Sequence, residues 1–369
     1  MAPGAAGTSS ARPALAPALL RDYRRQPLVA LTGIRAFAAL GPILWHAQHF
    51  ADRLLPVARH GYLGVDFFFM LSGFVLAYVH GAEMRRPDGL AYGRFLGLRL
   101  ARIWPAYVAV LLAVGAAVAW RGGFEPLRFL LHLLMMQNWG FVDPNEFNWP
   151  AWSVSAEWLV YLLFPLFVLA LGRAAWHGAL WGGPLLVIVL ALAFVAAGQS
   201  HLNVTGAIGL LRALVGFAIG MLMWRLFVDP AARRWNWTAI GTTALLGLAA
   251  LAMFSPSQSI GDFLFLPVFS ALLLSLAFAR GPLAAVCRWR PIVFLGAASY
   301  SIYLVHFPLL FVLAGWLQPH QAALPPWSYT AIGMAATIAA ATVVGIMLHL
   351  AIERPCRRWL RHRLGYADA

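Results

Sequence analysis

There is no lysine anywhere in this chain, and acids are scarce: 13 Asp and Glu stand against 27 basic residues, every one of them Arg. Charged side chains are only 11% of the 369 residues, and hydrophobic ones are 62%. An ordinary soluble domain carries roughly 25% charged residues, so that class is excluded. Cysteine is almost missing too. Cys287 and Cys356 both fall in Arg-rich segments, so neither a disulfide nor a metal site is expected from them. A net charge of +14 would point to nucleic acid in a soluble chain. Here mean hydropathy is +0.74, and the arginines encode topology instead, with no nucleic-acid partner implied. What is present in quantity is aromatic: 16 Trp and 10 Tyr suit the belts at the two membrane interfaces.

Apolar stretches long enough to span a bilayer run over 28–49, 61–80, 95–120, 152–171, 179–198, 204–226, 236–254, 260–279, 291–316 and 328–352. The piece 127–139 is shorter than the ~17 residues a span needs, and reads as a re-entrant or interfacial helix. The fold class is therefore all-α, a polytopic membrane protein of about ten spans plus that short helix. Residues 1–27 are Ala/Pro-rich and lack a signal-peptide core, which reads as a disordered cytoplasmic tail. With the N-terminus inside, only Arg53, Arg59, Arg121 and Arg128 fall outside, Arg35 and Arg212 lie within spans, and every other arginine is cytoplasmic. Counting 127–139 as a span would invert every later loop and destroy that bias. Both termini are thus expected in the cytoplasm, around a single membrane domain at 28–355. The basic stub 356–369 reads as an anchor on anionic lipid headgroups.

The first span, LTGIRAFAALGPILWHAQHF, carries Arg35 and, eleven residues on, His46. Eleven helical steps turn about 1100°, three turns and roughly 20°, so both side chains share one face, ~16 Å apart along the axis. Ionisable groups inside a span are costly and face protein or water. Two readings stay open: a polar pair that joins helices, or a polar track with chemistry at one end. At the outer end, Asp66 and Glu157 stand just inside the starts of their own spans. A carboxylate on one nitrogen of His46 fixes its tautomer and makes the other a better base, so His46, Glu157 and Asp66 are the catalytic candidates. Either acid alone is equally readable as an arginine partner or a helix-start charge. His49 and Asp52 follow His46 at helical spacing, yet such pairs are ordinary at a span end, and no metal is expected.

Facing the cytoplasm, Arg99 and Arg102 are three apart on one helical face at the depth of Arg35. Clustered guanidiniums bind phosphate bidentately; snorkelling anchors are the plainer reading. Pro105 is expected to break regular helix beside them. In the ninth span Tyr303 and His306 share a face, along with Tyr300 and Ser301, either for interhelical bonding or to line a pore. Glu353 is expected to pair with a nearby arginine, and Arg212 to be buried against a carboxylate.

Together these stretches resemble the integral-membrane acyltransferase family 3. Arg35 and His46 match its R-x10-H opening; Gly61 to Phe74 match G-x-x-G-V-D-x-F-F-x-x-S-G-F; Arg99 to Tyr107 match R-x-x-R-I-x-P-x-Y. Trp152 to Glu157 match W-S-x-S-x-E, Ser299 to Pro308 match S-Y-S-x-Y-x-x-H-x-P, and Ile352 to Pro355 match I-E-R-P. The order is kept over nearly the whole chain. There are departures: Leu31, Thr32 and Gly33 replace a common L-D-G, and Trp158 stands where many members carry a second acid, so the role falls to Glu157 alone. The esterase-like domain that some members append is not expected from these residues.

The resemblance implies transfer of an acyl group, often acetyl, from cytoplasmic acyl-CoA as co-substrate. The acceptor is a hydroxyl, usually on a sugar of a surface polysaccharide or glycolipid, or on a small molecule such as a macrolide. It implies a bacterial inner-membrane protein in contact with lipid. Arg35, Arg99 and Arg102 would hold the donor's phosphates. Ser72, Trp152, Ser155, Tyr303 and His306 would line the substrate channel. His46 would deprotonate the acceptor or transiently take the acyl group, oriented by Glu157 or Asp66. Rival readings of the same residues are a proton-coupled transporter or a non-catalytic scaffold.

Overall fold

The computed structural model describes residues 28–51, 55–56, 58–85, 89–278 and 280–363. In hydrocarbon a segment must satisfy its own backbone donors and acceptors, which makes each long apolar run a helix. Thirteen α-helices follow in order among the described residues: α1 (Val29–Ala47), α2 (Gly64–His80), α3 (Gly89–Trp120), α4 (Pro126–Leu133), α5 (Trp152–Leu171), α6 (Trp176–Ala196) and α7 (Gly206–Val228). Then come α8 (Trp237–Phe254), α9 (Phe265–Ala277), α10 (Gly281–Cys287), α11 (Arg290–Leu317), α12 (Pro326–Leu348) and α13 (Arg354–Arg363). Among the described residues ten stretches of helix are long and apolar enough to cross a membrane, in agreement with the ten expected spans.

The two most deeply buried spans, those of α2 and α7, form the centre, while α6, α8 and α12 turn most of their surface outward. α2 and α7 approach closely because each offers a glycine to the other's backbone. A Cβ at Gly73 would lie 2.0 Å from the Phe217 carbonyl oxygen, and one at Gly220 only 1.9 Å from that of Met70. Close contact through small residues is how helices associate where lipid supplies no hydrophobic drive. α1 packs on α2 and α11, and α11 on α12, which sets His46, Arg35 and the polar ninth span around one interior.

One local expectation is revised and two segments gain detail. Pro105 lies inside α3 without ending it, and close by Tyr300 of α11 donates to the Ile103 carbonyl at 2.8 Å, tying that stretch of α3 to its neighbour. The 127–139 segment is α4 followed by a tight turn. Gln137 and Asn138 are buried, bonding the Tyr107 hydroxyl and the carbonyls of Ala151 and Gly206. The segment is therefore tucked against the starts of α5 and α7. Finally, the basic stub is helical through Arg363. A π turn at His349–Glu353 redirects the chain, and α13 packs back on α3. Residues 1–27 and Asp52 lie outside the described residues.

Candidate active site

At one end of the interior, His46 meets a second imidazole. His46 Nδ1 lies 3.0 Å from Nε2 of His306, which is fully buried. The other nitrogen of His306, Nδ1, bonds the Tyr303 carbonyl oxygen. A carbonyl only accepts, so His306 Nδ1 carries the proton and its neutral ring leaves Nε2 as an acceptor. His46 Nδ1 must then donate to it. That leaves the lone pair of His46 on Nε2, the nitrogen a general base uses.

His46 lines a cavity of about 630 Å³ together with Trp45, Trp149, Trp152, Tyr303 and Arg212. His306, the partner of His46 Nδ1, is not among the residues that line it. Flat aromatic walls with Gln48, Gln199, Asn203 and Thr205 at the margin make a half-polar bowl. The only cysteine deep in the fold is no rival nucleophile: burial pushes the Cys287 thiol up to about 11.

From this bowl the interior continues toward the arginines through cavities that share walls. Val65 and Tyr303 line both the bowl and a narrow neck of about 70 Å³, which Arg35 and Glu157 also line. Arg35, Phe68 and Glu157 pass from the neck into a chamber of about 400 Å³ that Ser72 and Arg99 also bound. Arg99 and Val79 lead on to a fourth cavity of about 390 Å³, lined by Arg99, Arg102, Arg357 and Arg361. A guanidinium and an imidazole on one stripe of α1 thus line successive cavities that share wall residues.

Sequence placed His46, Asp66 and Glu157 at one depth; the structure separates them. Asp66 is buried with both oxygens bonded to Arg212, Nε and Nη2 each at 2.6 Å. Arg212 also donates to the Tyr62 carbonyl and stacks over Trp152. The hydrogen bonds of Asp66 go to Arg212, and none joins it to His46. Glu157 sits in the neck and chamber with Arg35, not in the bowl, and accepts from Ser72 Oγ at 3.1 Å and from Tyr161. A 3₁₀ turn at Trp149–Ala151 starts the helix early, so Glu157 lies about two turns deeper than the span end.

Among the channel candidates, Ser72, Trp152 and Tyr303 do line cavities. Ser155 does not: it is fully buried, accepting from the Asn138 N–H at 3.2 Å, and pins the turn after α4. His306 is not a wall either; it backs His46. Glu353 does pair with an arginine, Arg102, at 3.4 Å, and also accepts from Ser301 and His349 at 2.7 and 2.8 Å. Sequence reading missed Arg357 and Arg361 as cavity residues. Their four-residue spacing was the available signal, but it has meaning only once the tail is helical.

The family model described as an acyltransferase domain matches residues 28–346. Acyltransferase MdmB of Streptomyces mycarofaciens is 29% identical over 93% of this chain and 95% of its own. Peptidoglycan O-acetyltransferase OatA of Listeria monocytogenes is 23% identical over 94% of this chain, which spans 58% of that protein. A putative peptidoglycan O-acetyltransferase of Bacillus subtilis, YrhL, is 26% identical over 76% of this chain and 48% of its own length. No solved structure matches.

Proposed function

Because this chain belongs to the acyltransferase-domain family, an integral membrane enzyme that transfers acyl groups other than aminoacyl, we propose that its donor is cytoplasmic acyl-CoA and its acceptor a sugar hydroxyl. The acyl group is acetyl, and the sugar belongs to a cell-surface polysaccharide or glycolipid. The protein sits in the bacterial inner membrane with both termini inside, an orientation that the arginine bias supports.

One observation carries this reading: the cavities from the arginines to His46 share walls without a break. Arg35 and His46 stand ~16 Å apart along α1. A pantetheine arm of about 13 bonds, at ~3.5 Å for each three bonds of extended chain, reaches ~15 Å. Phosphates held near Arg35 and Arg99 therefore deliver a thioester to the neighbourhood of His46. The relatives named peptidoglycan O-acetyltransferases favour a sugar hydroxyl. So do the tryptophan walls of the bowl, which offer flat faces to sugar rings.

In this mechanism His46 Nε2 removes the proton of the acceptor hydroxyl as its oxygen attacks the thioester carbonyl carbon. The C–O bond forms, the C–S bond breaks, and the proton passes from His46 to the departing sulfur, giving free CoA thiol. His306 holds the His46 ring and its tautomer throughout.

The test uses the purified protein in nanodiscs with radiolabelled acetyl-CoA. Arg35→Ala should lose donor binding. His46→Ala should keep binding and lose transfer, and mass spectrometry of surface glycans should lose the acetyl mark when the gene is deleted. A protein that neither binds nor hydrolyses acetyl-CoA would be a transporter instead. Normal transfer by His46→Ala would remove His46 from the chemistry.

A further inference from the structure

The cavity beyond Arg99 is bounded by four guanidiniums and no acid. Arg99 and Arg102 come from α3, Arg357 and Arg361 from α13, with His80, Val79 and Leu98 completing the wall. Arg357 and Arg361 are four apart, so they present one face of α13. Most of this charge is uncompensated. Arg99 Nε, Arg102 Nη2 and Arg361 Nε are buried and have no hydrogen-bond partner among the described residues. Glu353 reaches only Arg102, at 3.4 Å, and divides its oxygens with Ser301 and His349. Four like charges around one void, with three buried donor nitrogens unspent, call for a polyanion with several acceptor oxygens.

The order of groups along the donor says which anion arrives there. Arm length sets the diphosphate beside Arg35 and Arg99. The next anion outward is the 3′-phosphate on the ribose, a monoester dianion, and the next basic groups outward are Arg102, Arg357 and Arg361. We propose that α13 forms a monoester-phosphate subsite, with Arg357 and Arg361 beside Arg102, that recognises the 3′-phosphate of CoA and rejects donors that lack it. The proposal rests on the acyl-CoA reading above. It also gives the helix after the π turn a task other than holding lipid. A headgroup phosphate carries the same chemistry, and the experiment separates the two sources.

The full chain is placed in nanodiscs of neutral phosphatidylcholine, and labelled acetyl-CoA is displaced by CoA, dephospho-CoA or adenosine 3′,5′-bisphosphate. The expected result is that dephospho-CoA competes at least about 10-fold more weakly than CoA, since charge-assisted bidentate contacts to one phosphate are lost. This comparison uses the unaltered protein and needs no variant to fold. Arg357→Gln with Arg361→Gln should then bring CoA down to the level of dephospho-CoA while dephospho-CoA hardly changes, and Arg361→Lys should recover part of the loss. Equal competition by the two nucleotides overturns the proposal, as does a double variant that weakens both alike. Loss only of binding to anionic-lipid nanodiscs, with the nucleotide ratio kept, assigns the arginines to headgroups and overturns it too. Absence of any acetyl-CoA binding fails differently, because it removes the donor reading itself.

Discussion

Asp66→Asn separates a structural carboxylate from a catalytic one. The Asp66–Arg212 pair is buried on both sides, with two contacts of 2.6 Å. Replacing the acid leaves Arg212 charged, in protein, with only the Tyr62 and Val204 carbonyls at 3.3 and 3.4 Å as further acceptors. Removing one partner of such a pair costs about 3–5 kcal/mol, a factor of roughly 10² to 10⁴ in the folded-to-unfolded ratio. Neutralising both partners leaves no unpaired charge and is often neutral or better. The variant Asp66→Asn should therefore melt well below the parent in detergent, and Asp66→Asn with Arg212→Met should recover most of the difference. The assay is thermal unfolding followed by fluorescence-detected size exclusion, with acetyl transfer measured separately below each melting point. An Asp66→Asn protein that melts like the parent and yet transfers nothing would refute the reasoning and return Asp66 to the chemistry.

Replacing His306 with Ala should lower transfer by about 10²–10⁴, the usual worth of a positioned acid–base group, while acetyl-CoA affinity in equilibrium binding stays as it was; an unchanged rate would mean that His46 needs no orienting partner. Adding a methyl at Gly220 sets carbon 1.9 Å from the Met70 carbonyl oxygen, so Gly220→Ala should cost about 1–3 kcal/mol by overpacking α2 on α7, read as a lower melting point. Burial holds the His132 imidazole down to about 4, below its ordinary 6.5, so the unfolded chain binds this proton first as pH falls. Stability should fall from pH ~6.5 toward ~4, by up to about 3 kcal/mol, and His132→Phe should flatten that part of the melting-point curve.

Hydropathy made the ten spans legible, because a bilayer accepts few alternatives to a long apolar helix. The alignment of Arg35 with His46 was legible for the same reason: inside one regular helix, spacing is geometry. Depth between helices was not. Counting from span ends put Asp66 and Glu157 beside His46, but a 3₁₀ turn at Trp149–Ala151 starts the fourth span before Trp152, and Asp66 is taken up by Arg212. Their partners, Arg212 and Ser72, come from other helices, and no periodicity encodes which helix packs on which. The same limit hid His306 as the partner of His46, though its sequence neighbourhood already stood out as polar. The π turn at His349–Glu353 hid the rest: hydropathy ends the last span near there, and only the redirected backbone carries Arg357 and Arg361 over Arg99 and Arg102.

A histidine behind the base, rather than a carboxylate, has a consequence for the reaction. When His46 takes a proton at Nε2, its ring becomes cationic, and the group at Nδ1 is a neutral imidazole. His306 has no means of passing charge onward, because its own Nδ1–H faces a carbonyl that accepts but holds no proton. With Asp66 already neutralised by Arg212, no acid of the bowl is free to stabilise the imidazolium. Its counter-charge must come from the reaction itself: the oxyanion as the acceptor attacks, then the departing thiolate. The proton is thus driven straight from acceptor oxygen through His46 to sulfur, and a donor whose leaving group is a stronger base, and so harder to expel, should be slowed at that return step. An acetyl-oxyester analogue of CoA tests the step, since its alkoxide is far harder to expel. It should bind like acetyl-CoA and transfer negligibly, and transfer at the thioester rate would mean that His46 is not where the proton waits.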